Sequence, residues 1–107
     1  MPLYLTNKAK SEYVIAVSEN QIPSEITASK ELQTYIAKST GVTLPIVKES
    51  ELKPNSPAIF VGRTDFAVSL GLVPDGEEQW VIKTVNNNLV LTGGRPRGTL
   101  YAVYHFL

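Results

Sequence analysis

The chain has 107 residues, of which 43% are hydrophobic, and its ten basic and ten acidic side chains give a formal net charge of zero. This length predicts one domain over residues 1–107 with a single compact core. A neutral surface has no long-range field that would attract nucleic acid or an anionic membrane, so we expect neither as a partner. The absence of cysteine excludes disulfides, thiolate nucleophiles and cysteine-ligated zinc.

The first third of the sequence predicts two strands and a helix. Two runs rich in Tyr, Val and Ile predict strands at residues 3–6 and 13–18, which could pair as a hairpin. Pro23 then favours a helix start, and Gly41 is suited to end that helix as a C-cap. Apolar residues recur between them at helical spacing, at Ala28, Leu32, Tyr35 and Ile36.

The middle third predicts two further strands and a short helix. Residues 42–47 read as a strand, and Pro45 places it at an edge or an irregular position because proline cannot donate to a central ladder. The apolar run at residues 58–61 predicts a buried strand. Thr64 can then cap a short helix that Gly71 stops.

The last third predicts a hairpin followed by a helix. Alternation over residues 79–85 and the run at 89–92 indicate two strands joined by asparagines that tolerate a tight turn. The final helix starts near Gly98. Together the elements predict an α/β (α+β) domain: a mixed sheet of about six strands, two longer helices and one short helix.

The turn "GGRPRG" between the last strand and the last helix raises the question of phosphate binding. Neither the P-loop pattern nor the dinucleotide pattern is present. We therefore expect a tight turn whose arginines, Arg95 and Arg97, pair with protein carboxylates or carbonyls. A small anion- or nucleotide-binding site between Gly93 and Gly98 is the alternative.

No residue pattern in the sequence predicts a catalytic residue, a metal site or a cofactor. His105 is the only histidine, which leaves no two-histidine metal site and no obvious base for a nucleophile. Acid/base chemistry would need two facing carboxylates, whereas Asp75, Glu77 and Glu78 share one polar loop and Asp65 stands alone. Solvation explains these four acids better.

Aromatic residues offer a weaker hint of ligand binding. Most of them occupy positions that strand alternation or helical spacing assigns to packing. Trp80 is the best candidate for a ligand platform, and a carbohydrate-binding module is the function that it would support.

The final helix is apolar on nearly every side. Leu100, Val103, Tyr104 and Leu107 share one face, and Phe106 points elsewhere. We expect such a helix to be buried on more than one side, whereas a small sheet covers only one. The sequence stops without a glycine cap or a polar tail, which predicts a domain excised from a longer chain and covered by a neighbour there.

Three stretches of the sequence resemble a known type of domain. These are "ASKELQTYIAKSTGVTLPIV", "AIFVGRTDFAVSLGL" and "WVIKTVNNNLVLTGGRPRGTLYAVYHFL". They are similar to the small N-terminal α/β domain that precedes the catalytic barrel in α-glucuronidases, β-N-acetylhexosaminidases and related bacterial proteins. The block from residue 89 onward is the most specific part.

The resemblance implies a zincin-like sheet without the zinc motif, and catalytic acids in a downstream barrel. This chain would then be a non-catalytic accessory domain of a glycoside hydrolase, with that barrel as its partner and carbohydrate as a further candidate. The isolated domain could dimerise through its last helix. We expect a periplasmic or secreted parent whose export signal is not part of this chain. Six residues are expected to contact the barrel: Arg95, Arg97, Leu100, Tyr101, Tyr104 and Phe106.

Overall fold

A computed structural model describes residues 13–52, 57–74, 76, 79–86, 88–95 and 97–106. In chain order the elements are β1 (Val14–Val17), α1 (Pro23–Thr40), β2 (Ile46–Lys48), a 3₁₀ turn (Glu49–Glu51), β3 (Ala58–Val61), α2 (Asp65–Ser69), β4 (Trp80–Val85), β5 (Asn88–Gly93) and α3 (Gly98–Phe106).

The strands of the described residues form one mixed sheet in the order β2-β1-β3-β5-β4. Four of them run parallel, and β4 is antiparallel to β5. The predicted α/β class, with two longer helices and a short one, is confirmed. Five strands are seen instead of about six, because the strand predicted at residues 3–6, with its hairpin, lies outside the described residues.

Helix α1 begins and ends where its sequence signals place the boundaries. Pro23 occupies the first turn, and Gly41 adopts a left-handed φ of 77° while its N–H donates to the Ala37 carbonyl over 2.9 Å. Only glycine adopts this conformation without strain, which is why the helix stops there. Tyr35 is exposed, against the predicted stripe, because it lies about 75° from the centre of the buried face.

Within the sheet formed by the described residues, β2 lies at an edge, which agrees with Pro45, but the strand is shorter than expected. Pairing with β1 begins only at Ile46, after the proline that has no N–H to donate. The Pro45 carbonyl still accepts the Ile15 N–H over 2.9 Å. The 3₁₀ turn that follows β2 was not predicted.

Strand β3 lies at the centre of the sheet and is buried along its whole length, as predicted. Thr64 then caps α2, because its Oγ1 accepts the Ala67 N–H over 3.2 Å. Glu49, in the 3₁₀ turn, also binds the start of α2: its carboxylate oxygens accept the N–H groups of Asp65 and Phe66 over 2.7 and 2.8 Å.

The predicted hairpin is formed by β4 and β5, with Val85 opposite Asn88. Asn86 in the turn has a φ of 55°, the left-handed conformation that asparagine tolerates better than other non-glycine residues. The hairpin gives the sheet an outer edge at β4, next to which α3 packs.

Hydrophobic cores lie on both faces of the sheet because alternate strand residues point to opposite sides. The larger core joins the sheet to α1 and α3, and the smaller one joins it to α2. The larger core contains the buried residues Ile15, Val17, Ala28, Leu32, Ile36, Leu44, Ile59, Val61, Leu89, Leu91, Ala102 and Val103. The smaller one contains Ala16, Ala58, Phe60, Ala67 and Val90.

Among the helices of the described part of the chain, none is both long and apolar enough to cross a membrane.

Candidate functional site

The turn between β5 and α3 is built on close backbone contact, which its glycines permit. A Cβ atom on Gly93 would overlap the backbone of Gly98, and one on Gly98 would overlap the carbonyl oxygen of Gln79. A Cβ on Gly94 would likewise overlap the carbonyl of Gly76. The glycines therefore bring the start of α3 against the end of β5 and the segment before β4.

Two backbone amides of this turn are already used within the protein. Gly94 N–H donates to the Gln79 carbonyl over 3.0 Å, and Gly98 N–H donates to the Gly94 carbonyl over 2.7 Å. The neighbouring Thr99 side chain is buried, so its hydroxyl faces the interior. A phosphate cradle needs free amides that point to solvent, and these two amides are not free.

Arg95 makes an ion pair with Glu25 of α1. Its Nε donates to Glu25 Oε2 over 3.0 Å, and its Nη2 donates to Glu25 Oε1 over 3.2 Å and to the Asn20 carbonyl over 3.0 Å. Glu25 is 1% exposed, and its Oε1 also accepts the Ile22 N–H over 3.1 Å. Arg95 thus neutralises a buried carboxylate. Its expected pairing with protein carboxylates and carbonyls is confirmed.

Arg97 behaves differently from Arg95, because its side chain is exposed just before α3. The hydrogen bond that Arg97 makes in this turn is through its main chain, since its carbonyl accepts the Tyr101 N–H over 3.1 Å. The two arginines of the turn are therefore not equivalent, and Arg97 is the one whose charge faces solvent.

Trp80 stacks on His105. The ring centroids of the indole and the imidazole are 4.2 Å apart with an interplanar angle of 19°. His105 Nδ1 lies 2.8 Å from the Tyr101 carbonyl. A carbonyl only accepts, so Nδ1 carries the proton. One face of the predicted ligand platform is thus occupied by protein.

Helix α3 buries a different face from the one that its apolar residues suggested. Its fully buried side chains are the small or branched ones of Thr99, Ala102 and Val103. This face lets the helix approach the glycines of the turn closely. Tyr104, which the pattern grouped with Val103, is instead 49% exposed.

A second side of α3 is covered within this chain, so no neighbour is needed there, and whether a neighbour in a longer chain covers the side that stays exposed remains a prediction. Helix α1 of this chain packs against α3 on the same face of the sheet, while β4 and β5 contact it from the sheet itself. Leu100 and Phe106 pack against the larger core, and Tyr101 is half-buried. Leu107 lies outside the described residues. Whether the predicted six residues contact a barrel stays a prediction.

Of the four carboxylates that the sequence raised as acid/base candidates, the structure describes only Asp65. Asp65 is exposed at the start of α2, and the other three acids of the predicted polar loop, Asp75, Glu77 and Glu78, lie outside the described residues. Within the described ranges, His, Asp and Glu side chains nowhere gather in a set that could hold a metal ion.

Two side-chain pairings could not be predicted from the sequence. The Glu25–Arg95 pair joins residues 70 positions apart, and the Trp80–His105 stack joins an edge strand to a helix. Glu25 lies in the first turn of α1, where a carboxylate suits the helix dipole, but this position does not indicate its distant partner.

The comparisons with known proteins give a family for the chain. Among curated proteins, none matches the sequence. A family of domains does match, over residues 4–106, and its description is Glycosyl hydrolase family 67 N-terminus. The match covers almost the whole chain and includes the glycine turn and α3. The chain therefore belongs to the N-terminal domain family of family 67 glycosyl hydrolases.

Proposed function

We propose that the chain is a non-catalytic accessory domain that packs against the catalytic barrel of a glycoside hydrolase. The observation that carries the proposal is the family match over residues 4–106, because the family is described as the N-terminus of a glycosyl hydrolase.

The hydrogen bonds of the turn between β5 and α3 support a structural role, because they are made within the domain. Arg95, the Gly94 amide and the Gly98 amide all bind other parts of this chain. Such groups stabilise the turn that leads into α3. A domain of this kind contributes a fixed surface to the enzyme, and the exposed side chains of α3 are the part of that surface closest to its last described residue.

The type of sheet that we propose rests on the same resemblance. We assign to the sheet the zincin-like type of the β-N-acetylhexosaminidase N-terminal domain, and the mixed sheet with helices on both faces supports this assignment. An experimental structure superposed on such a domain tests it.

The proposal is tested by the hydrolytic activity of two proteins. The first is the 107-residue chain alone, and the second is the enzyme in which a catalytic region follows it. Both are assayed against aryl α-glucuronides and aryl β-N-acetylhexosaminides. We expect hydrolysis by the longer protein alone. Turnover by the isolated chain at a similar rate would overturn the proposal, as would a coding sequence that encodes no hydrolase barrel after Leu107.

Glycan titration of the isolated chain separates the proposal from a carbohydrate-binding module. Saturable binding that is lost in Trp80→Ala would favour the binding module. We expect no saturable binding, because the matching family is described as the N-terminus of a glycosyl hydrolase.

A further inference from the structure

Besides Ile26 and Tyr35 on α1, the exposed large hydrophobic side chains of the described residues fall into two groups on opposite faces of the sheet. The first, which we call the aromatic patch, consists of the stacked pair Trp80 and His105 and of Tyr104, which precedes His105 in α3. The second, the α2 patch, consists of Val68 and Leu70, on the side of the smaller core. An accessory domain that docks on a larger domain needs one such surface, and the structure distinguishes between the two.

The aromatic patch is ordered before any partner binds. Its indole and imidazole rings are stacked at 4.2 Å, and the imidazole is anchored by the hydrogen bond from Nδ1 to the Tyr101 carbonyl. Trp80 remains 39% exposed and Tyr104 49% exposed. Preordered side chains lose little conformational entropy on association, and Trp and Tyr are the residues most often found at the energetic centre of interfaces.

The α2 patch has none of these features. Val68, 53% exposed, and Leu70 stand at the end of a five-residue helix. Neither is an aromatic residue, and neither is held by a stacking contact. Scattered exposed aliphatic residues of this kind are normal on soluble domains.

We infer that the aromatic patch is the docking surface for the catalytic domain of the same glycoside hydrolase. This inference rests on the proposed function. An N-terminal domain is joined to the rest of its enzyme at its C-terminal end, and here the last described element is α3, which carries Tyr104 and His105 in its final turns. A tether at that position raises the effective concentration of the patch toward a catalytic domain, so a small interface suffices.

The geometry also specifies the chemistry of the surface that covers the patch. Tyr104 and the indole of Trp80 require apolar side chains opposite them. His105, whose Nδ1 donates within the domain, leaves Nε2 as the ring nitrogen that is available to a polar group of the partner. No charged side chain belongs to the patch, so docking depends weakly on salt.

The inference is tested by side-chain footprinting of the isolated chain and of the full-length enzyme. Diethyl pyrocarbonate labels His105 and oxidation labels Trp80, and the chain contains one histidine and one tryptophan, so both positions are unambiguous in peptides from it. Hydrogen exchange of residues 65–70 reports on the α2 patch. We expect labelling of Trp80 and His105 to fall at least fivefold in the full-length enzyme, with the α2 residues unchanged.

Other outcomes separate the inference from the function on which it rests. Protection of the α2 patch alone would overturn the docking surface and leave the accessory function standing. No protection at either patch would likewise overturn the docking surface. Concentration-dependent protection of the aromatic patch in the isolated chain, as strong as in the enzyme, would identify a second copy of the chain as the occupant and overturn the inference.

Paired variants give a second readout. Trp80→Gln with His105→Gln is compared with Val68→Gln and Leu70→Gln, all placed in the full-length enzyme. With the first pair of changes, this domain and the catalytic domain should melt at different temperatures. With the second pair, they should melt together as in the unaltered enzyme. If the Trp80→Gln and His105→Gln changes unfold the domain, the footprinting of the unaltered enzyme still decides which patch is the docking surface.

Discussion

Arg95 and Glu25, 70 residues apart in the sequence, form an ion pair that ties the β5–α3 turn to the first turn of α1. The carboxylate is buried, and both of its oxygens are bound by the guanidinium. The contact therefore fixes the start of α3 relative to the helix beside which it packs.

Arg95→Met should destabilise the domain. It leaves the buried Glu25 carboxylate without its cation and removes hydrogen bonds to a charged group, which costs about 1.5–3 kcal/mol of the free energy of unfolding. Urea denaturation measures the loss. The double variant Arg95→Met with Glu25→Gln should lose less than the sum of the two single variants, because the unpaired charge is gone.

Arg97→Met is the matched control for that prediction. Its side chain is exposed, so the change should stay within about 0.5 kcal/mol. Equal losses from the two arginine variants would contradict the role that we assign to the Glu25 pair.

Gly93→Ala should be more damaging than Gly41→Ala. The added methyl group at Gly93 overlaps the Gly98 backbone, and forcing β5 and α3 apart costs about 3 kcal/mol. Gly41 has open space around it, so alanine there meets only the strain of a left-handed φ, about 1–2 kcal/mol. Thermal and urea unfolding of the two variants measure the difference, and the reverse order would refute the close contact.

His105→Ala should change the fluorescence of the isolated domain. Trp80 is the only tryptophan, and removal of the stacked imidazole opens one face of its indole to water. The emission should move to longer wavelength and acrylamide should quench it more strongly, with a stability loss below about 1 kcal/mol. Tyr104→Ala serves as the control. An unchanged spectrum in His105→Ala would show that the rings are not stacked in solution.

Tyr13 should contribute to a loss of stability at alkaline pH. Burial raises the pKa of its phenol above the value of an exposed tyrosine. The unfolded chain therefore loses this proton first, so the contribution is fully present below about pH 10 and declines as the pH rises through the folded-state pKa. In Tyr13→Phe, the free energy of unfolding should fall less steeply above pH 10. Parallel pH profiles for the two proteins would contradict the prediction.

Elements with local signals could be predicted from the sequence. Pro23 and Gly41 gave the ends of α1, Pro45 placed β2 at an edge, and Asn86 lies in the predicted hairpin turn. Each of these effects depends on the backbone conformation of one residue, which neighbours in sequence are sufficient to define.

Contacts between distant elements could not be predicted in the same way. The helical pattern of α3 showed apolar residues on nearly every side, but not that α1 would cover one of those sides or that Thr99 and Ala102 would form the buried face. Trp80 was recognised as an exposed aromatic without its partner His105. Such contacts depend on strand order and helix placement, which periodicity does not specify.

The central claim, that this domain works by packing against a catalytic domain, is tested most directly by adding it back to that domain. The catalytic region is produced without residues 1–107, and its melting temperature is measured with increasing amounts of the 107-residue chain. A saturable rise in melting temperature, absent with the Trp80→Gln and His105→Gln variant, is the predicted result. An unchanged melting temperature at a large excess of the folded chain would contradict the claim.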